Sequence, residues 1–470
     1  MISCTGDRAS RRAVITLQAR GFRHRAPVGR VHPVRRSVRQ GTGAVPGVAE
    51  SLVRRAVAGG ASPRAGRRRA RRAGPMQWPD EAKETIMAGR GRAADAARVH
   101  GQPAGSRRTT DTAIAGQPSR EVRIIPFEMA SAGDASGVRD ALRALPLARV
   151  LQLAVVAKVE GTATLNDASR ELASACIGVE LRRAGGEALA ARTLEILSVG
   201  CEGVITPGGW LFASLRPDAR AKAASLRGEA GAEGLAIGQA RSAPVAMRDR
   251  AGPRHVQAAE RAVRAAMREA GLDSKSVSFV LIKSPVLMPG TTVTLDAAQR
   301  RHVGSTGASR GAAALGAAIA LGEIPRGPID ASRLCAEGSL HGSRTLSFSG
   351  TETECCEAVV IGHRPGGDPR WRASTTVLRD LLDSAALSTL AGDPGSLHAV
   401  FFKAGIAAGG RLRGARTTVL SSELPADKQL RAAASGVVGA VLGTTRAFIS
   451  GGAEHQAAPG ACLAAVIRAV

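Results

Sequence analysis

The sequence predicts an α+β protein made of three similar units, and three observations carry that prediction. Short apolar runs end in a lysine three times, VVAK at Lys158, VLIK at Lys283 and FFK at Lys403, at intervals of 125 and 120 residues. Each lysine is followed by an apolar stretch that breaks into a serine–glycine–glutamate turn, at Ser198 to Glu202, Ser349 to Glu352 and Ser450 to Glu454. Between lysine and turn lies a helix-like segment with an arginine, Arg170, Arg310 or Arg431. Each unit reads helix, strand with lysine, helix with arginine, strand with serine: a small sheet with helices on one face. A triplication kept for packing alone would not repeat its polar residues. Three Lys/Ser pairs are therefore expected at a common centre.

The units are expected at 121–250, 251–366 and 367–470. In unit A, residues 122–127 read as a strand and 134–145 as a helix with Ser136 as N-cap. Residues 149–157 form the strand that ends at Lys158. Asn166 and Asp167 suit the cap of a helix over 170–181, and 194–197 is the strand that ends at Ser198. In unit B, 257–270 is an amphipathic helix closed by Gly271, and 276–282 leads to Lys283. Ser309 starts a small-residue helix, a strand ends near Ser349, 359–362 is a further strand and 362–368 a Gly/Pro linker. In unit C, 374–390 reads as helix, 398–402 as strand, 426–442 as helix and 447–449 as strand.

The first 120 residues differ from the rest. They hold 25 Lys/Arg against 7 Asp/Glu, whereas the remaining 350 hold 40 against 32. Most of the net charge of +26 thus sits in a leader rich in Arg, Gly, Pro and Ser without apolar periodicity. Such a segment cannot bury enough surface to offset its ordering entropy. It is expected to be disordered, as a basic arm, a targeting extension or a start assigned too early, with Met76 and Met87 as later starts. Basicity confined to a leader with one Trp and no Tyr argues against a nucleic-acid partner.

Seven cysteines form no CxxC pair and no zinc-like Cys/His spacing, so they read as reduced, cytosolic thiols. The apolar stretch at 311–322 falls short of the roughly 18 residues a membrane span needs. A cytoplasmic protein is expected.

A serine hydroxyl is a poor nucleophile until a base takes its proton. A lysine serves as that base when burial and neighbouring positive charge bring its pKa toward neutrality. Three lysines and three arginines at one centre provide that setting. The glycine after each serine allows a sharp turn whose amides can face an oxyanion, and each arginine offers a planar fork for a carbonyl oxygen.

With LNDASRELA at 165–173, SRGAAALGAAIALGEI at 309–324 and SGGAEHQ at 450–456, the chain from about Val122 to Val470 resembles the ring-opening cyclic amide hydrolases, the family of cyanuric acid amidohydrolase and barbiturase. The resemblance implies three equivalent domains around a pseudo-threefold axis, a homotetramer, and a small cyclic imide bound at the centre. It implies hydrolysis of cyanuric acid to carboxybiuret, with barbituric acid to ureidomalonate as the alternative and a non-catalytic ligand-binding relative as a third. The middle pair is catalytic in the family, which points to Lys283 as base. Lys158 and Lys403 are then supporting residues. Arg170, Ser198, Val199, Arg310, Gly350, Arg431, Ser450 and Gly451 hold the ring.

Two departures stand out. The family's middle turn is Ser-x-Gly-x-Glu, but Phe348 occupies the serine position here. A turn one residue shorter would make Ser349 the nucleophile, and Ser347 lies on the same strand face. Ser349, which abuts the glycine, is preferred. No cofactor is required. The family's structural magnesium would fall to backbone groups of Ala453, Gln456, Ala457, Pro459 and Gly460, and Gly405 stands where the family has a carboxylate, which argues against a tightly held hard cation.

Overall fold

The computed structural model describes residues 119–470 except 165, 219–232, 291–293, 328–332, 336–337, 339 and 408. All but the last two residues of the expected leader lie outside the described residues.

Three units repeat one order of elements, β-α-β-α-β-β. Unit A comprises β1 (Glu121–Glu128), α1 (Ser136–Arg143), β2 (Val150–Val159), α2 (Ser169–Arg192), β3 (Leu194–Val199) and β4 (Gly208–Leu215). Unit B comprises β5 (Glu233–Arg241), α3 (Pro253–Ala270), β6 (Val277–Pro285), the short α4 (Ala297–Arg300), α5 (Thr306–Ala320), β7 (Thr345–Gly350) and β8 (Glu357–Pro365). Unit C comprises β9 (Trp371–Leu378), α6 (Ser384–Ala391), β10 (Leu397–Ala404), a small hairpin β11 (Arg411–Leu412) and β12 (Ala415–Arg416), α7 (Ala426–Leu442), β13 (Phe448–Gly451) and β14 (Cys462–Ala469). The sheets run β1-β4-β2-β3, β5-β8-β6-β7 and β9-β14-β10-β13, the same topology three times around a pseudo-threefold axis. In each, the lysine strand pairs in parallel with the turn strand, as β2 with β3, β6 with β7 and β10 with β13.

Strand alternation decides what faces the axis. On β2, Ala154 and Val156 join a central apolar cluster, while Leu153, Val155 and Ala157 pack outward under α1 and α2. On β6 and β10, Phe279, Leu281, Ala399 and Phe401 point to the centre, and Val280, Ile282, Val400 and Phe402 point to the helices. Phe401 sits among rings from all three units, with centroids 5.4 Å from Trp210, 5.7 Å from Phe279 and 5.9 Å from Phe448. Each such buried ring contributes about 1.5–3 kcal/mol of transfer free energy. The next inward position beyond this cluster on β2, β6 and β10 is the lysine.

Three expectations are corrected. Unit B begins at β5, not at residue 251: Glu233 to Arg241 pair antiparallel with β8 from Pro365 back to Glu357. The boundary therefore lies between Leu215 and Glu233. Residues 371–378 form a strand rather than the start of a helix, because Ser374, Thr375, Thr376 and Val377 pair with β14. The β-branched side chains of Thr375, Thr376 and Val377 suit that pleated surface. The helix follows as α6, capped by Asp383. Ser136 is the first residue of α1 rather than its cap, and its amide donates to Asp134 instead.

Helix α5 packs closely because its residues are small. A Cβ on Gly316 would lie 2.2 Å from the Val256 carbonyl oxygen of α3. Among the described residues, no helix is long and apolar enough to cross a membrane.

Candidate active site

The three lysines end their apolar strands at the centre and are at most 1% exposed. Register fixes their partners. Lys158 stands opposite Ser198, and its Nζ donates to Ser198 Oγ at 3.2 Å and to the Val199 carbonyl at 3.2 Å. Lys403 stands opposite Ser450, and its Nζ donates to Ser450 Oγ at 3.0 Å and to the Gly451 carbonyl at 3.2 Å.

The middle unit differs. Opposite Lys283 lies Phe348, and Ser349 falls opposite Ser284. Strand β7 runs on through Gly350 instead of turning early, so Leu346 and Phe348 face the centre while Ser347 and Ser349 face α5. Ser347 Oγ donates to the Arg310 carbonyl at 2.9 Å, and Ser349 Oγ to the Thr306 carbonyl at 2.9 Å, one helical turn earlier. Neither hydroxyl meets Lys283. The expected pairing of Lys283 with Ser349 or Ser347 is thus corrected: the two serines do share a face, but it is the wrong one for a nucleophile. Lys283 Nζ instead donates to the Leu197 carbonyl at 2.5 Å and pairs with Glu352 at 2.5 Å.

The turn glutamates, not singled out as site residues by sequence, close a ring between units. Arg170 of unit A reaches Glu352 of unit B, Nε to Oε2 3.2 Å. Arg310 of unit B holds Glu454 of unit C through two bonds of 3.0 and 2.7 Å. Arg431 of unit C holds Glu202 of unit A through two bonds of 2.6 Å. The signal was visible as a glutamate at the same step of each turn. The arginines thus clamp neighbouring turns, and part of each fork expected for a ring carbonyl is already occupied.

The turns also use amides expected for an oxyanion. Gly200 N–H donates to the Val159 carbonyl and Gly452 N–H to the Ala404 carbonyl, both at 3.0 Å. Gly200 and Gly452 have φ of +99° and +80°, a region L side chains rarely adopt. Gly350 lacks that conformation, and a Cβ there would lie 2.6 Å from Lys283 Nζ.

Burial is the largest influence on all three lysines. It brings Lys158 down to about 7, with Arg431 and Lys283 adding to the effect against Cys201 and Glu202. Lys283 comes down to about 8, burial and Arg170 working against Glu352. Burial and Arg310 also lower Lys403 well below the usual lysine range. Three oxygens, including the Ser347 carbonyl at 3.0 Å, and the face of Phe348 4.9 Å from its Nζ oppose that by favouring the charged form.

By the C-terminal loop, position 405 cannot supply a carboxylate to a hard divalent cation. A Cβ at Gly405 would lie 2.1 Å from the Ala461 carbonyl oxygen, so that position has no room for a carboxylate. Glu454 is held by Arg310, and Gln456 braces β7 by accepting from the Ser347 amide at 2.7 Å. Among the described residues, no three His, Cys, Asp or Glu side chains gather as a metal site. A cavity of about 350 Å³ lies beside the Arg310–Glu454 pair, lined also by Asp427, His455 and Pro459.

Residues 123–469 match the sequence profile of the amidohydrolase ring-opening proteins. The chain belongs to this family. It is 33% identical over 341 residues to a cyclic amide hydrolase of Azorhizobium caulinodans, covering 67% of this chain and 91% of the relative. It is 33% identical over 368 residues to a cyanuric acid amidohydrolase of Methylobacterium, covering 74% and 97%. Among solved structures, cyanuric acid hydrolase from A. caulinodans superposes with a TM-score of 0.64 at 31% identity, over 74% of this chain and 99% of the other. Family membership places the chain among the amidohydrolases that act on cyclic amides.

Proposed function

We propose that the chain opens a six-membered cyclic imide by hydrolysis, with Ser198 as nucleophile and Lys158 as its base. The hydrogen bond from Lys158 Nζ to Ser198 Oγ carries this reading, joined to a lysine pKa near 7. A base near neutrality is half deprotonated at working pH and still basic enough to take a hydroxyl proton. Lys403 spends its three N–H donors on the Ser347 carbonyl, Ser450 Oγ and the Gly451 carbonyl and lies over the Phe348 face, which suits it to position Ser450 rather than to accept a proton. Lys283, held by Glu352, contributes charge that lowers Lys158.

In this scheme Ser198 Oγ bonds to a ring carbonyl carbon as its proton passes to Lys158. The C–N bond then breaks, the ring nitrogen takes the proton, and water releases the opened chain from the serine ester. The names of the relatives support cyanuric acid, giving carboxybiuret, as the first ring to test, and barbituric acid, giving ureidomalonate, as the second. We also propose a cytoplasmic homotetramer, to be checked by light scattering of the purified protein and by fractionation of cells that make it.

A second reading is favoured by Phe348: a protein that binds such rings without turning them over. Incubation with both rings separates the readings. Loss of ultraviolet absorbance for barbituric acid, or chromatographic loss of cyanuric acid, supports hydrolysis. Calorimetric binding with neither loss supports the second reading.

A further inference from the structure

The geometry points to Phe348 as the residue that selects the ring, and we infer that the preferred substrate is a cyclic imide with two carbonyls and a hydrocarbon third edge. This rests on the reading of a ring bound among the three lysines. Two of three equivalent inward positions present a hydroxyl bonded to its lysine, Ser198 and Ser450. The third presents a phenyl ring, 2% exposed, packed edge-on against Phe448 at 4.8 Å and lying under Lys403. Exchange of a hydroxymethyl for a benzyl group removes one polar partner and fills one arm of the threefold site.

Lys283 gives two of its three N–H donors to the Leu197 carbonyl and Glu352 and has no serine hydroxyl beside it, unlike Lys158 and Lys403. Ser349 and Ser347 do not restore the lost contact, because their hydroxyls are bonded to α5 on the far side of β7. A ring with three carbonyls would bring its third oxygen to the one arm where a phenyl ring stands in place of the serine hydroxyl. A ring with CH or CH₂ there meets an apolar wall. Loss of one such hydroxyl partner lowers affinity or rate by about 10- to 100-fold.

The test compares kcat/KM of the full chain for 5,6-dihydrouracil, with two carbonyls, and for cyanuric acid, with three. Wild type is expected to favour dihydrouracil by about tenfold or more. Phe348→Ser is expected to reverse the order, while Phe348→Leu, which keeps the site apolar and controls for folding, retains it. Equal or better use of cyanuric acid by wild type overturns the inference, as does an unchanged ratio in a folded Phe348→Ser. If wild type opens neither ring, the hydrolase reading fails by itself, and calorimetry with the same rings decides: tighter dihydrouracil binding upholds the role of Phe348, and equal, tighter cyanuric acid or absent binding removes it.

Discussion

Lys158, Lys283 and Lys403 lie on one layer, yet their surroundings make them different acids. Lys158 has a hydroxyl partner and a pKa near 7, so kcat/KM for ring opening should rise through about pH 7 and level off above it, the active form being the neutral amine. A profile flat from pH 6 to 8.5 would remove Lys158 as the base. Lys158→Met should lower kcat by about 10²–10⁴-fold with the protein still folded. The Lys/Ser pairs of units A and C were legible as repeated spacing. The failure of the middle pair was half legible. Phe348 was visible at the serine position, but the expectation that Ser349 or Ser347 replaces it ignored alternation. Leu281 and Lys283 share a face of β6, and the matching apolar residues of β7 are Leu346 and Phe348.

At the level of elements, the sharp turns of units A and C depend on glycine. Gly200→Ala should cost about 1–3 kcal/mol in thermal or denaturant unfolding. Its φ is +99°, and the new methyl would lie 2.8 Å from Glu202 and 3.0 Å from Arg431. Unchanged stability would show that the turn relaxes freely. The helices were legible where capping and periodicity agree, as in α3, which ends at Gly271 with φ of +67°, and in α7. Strand β9 was not. Its Ser and Thr residues carry no apolar period of their own, and they become a strand because β14 supplies a ladder from a segment nearly 90 residues later. The start of unit B was missed likewise, since β5 is defined by its pairing with β8.

Over the whole molecule, threefold repetition builds one apolar axis with a polar layer above it, tied by an arginine of each unit on a turn of the next. Arg431→Met should leave Glu202 without its partner and cost about 3 kcal/mol in unfolding free energy. The lysine layer also sets pH dependence. Lys158 and Lys283 have folded pKa values near 7 and 8, below that of an unfolded lysine, so between pH 7 and 9 the unfolded chain binds more protons. Denaturant midpoints should therefore rise over that range, and rise less in Lys158→Met. The units are nonetheless unequal, because one inward serine has become Phe348. The central claim is that chemistry passes through unit A. Ring-opening kcat measured side by side for Ser198→Ala and Ser349→Ala tests it most directly. The expected result is loss of about 10³-fold or more for Ser198→Ala and little change for Ser349→Ala, whose hydroxyl serves α5. Full activity in Ser198→Ala with collapse in Ser349→Ala would contradict it.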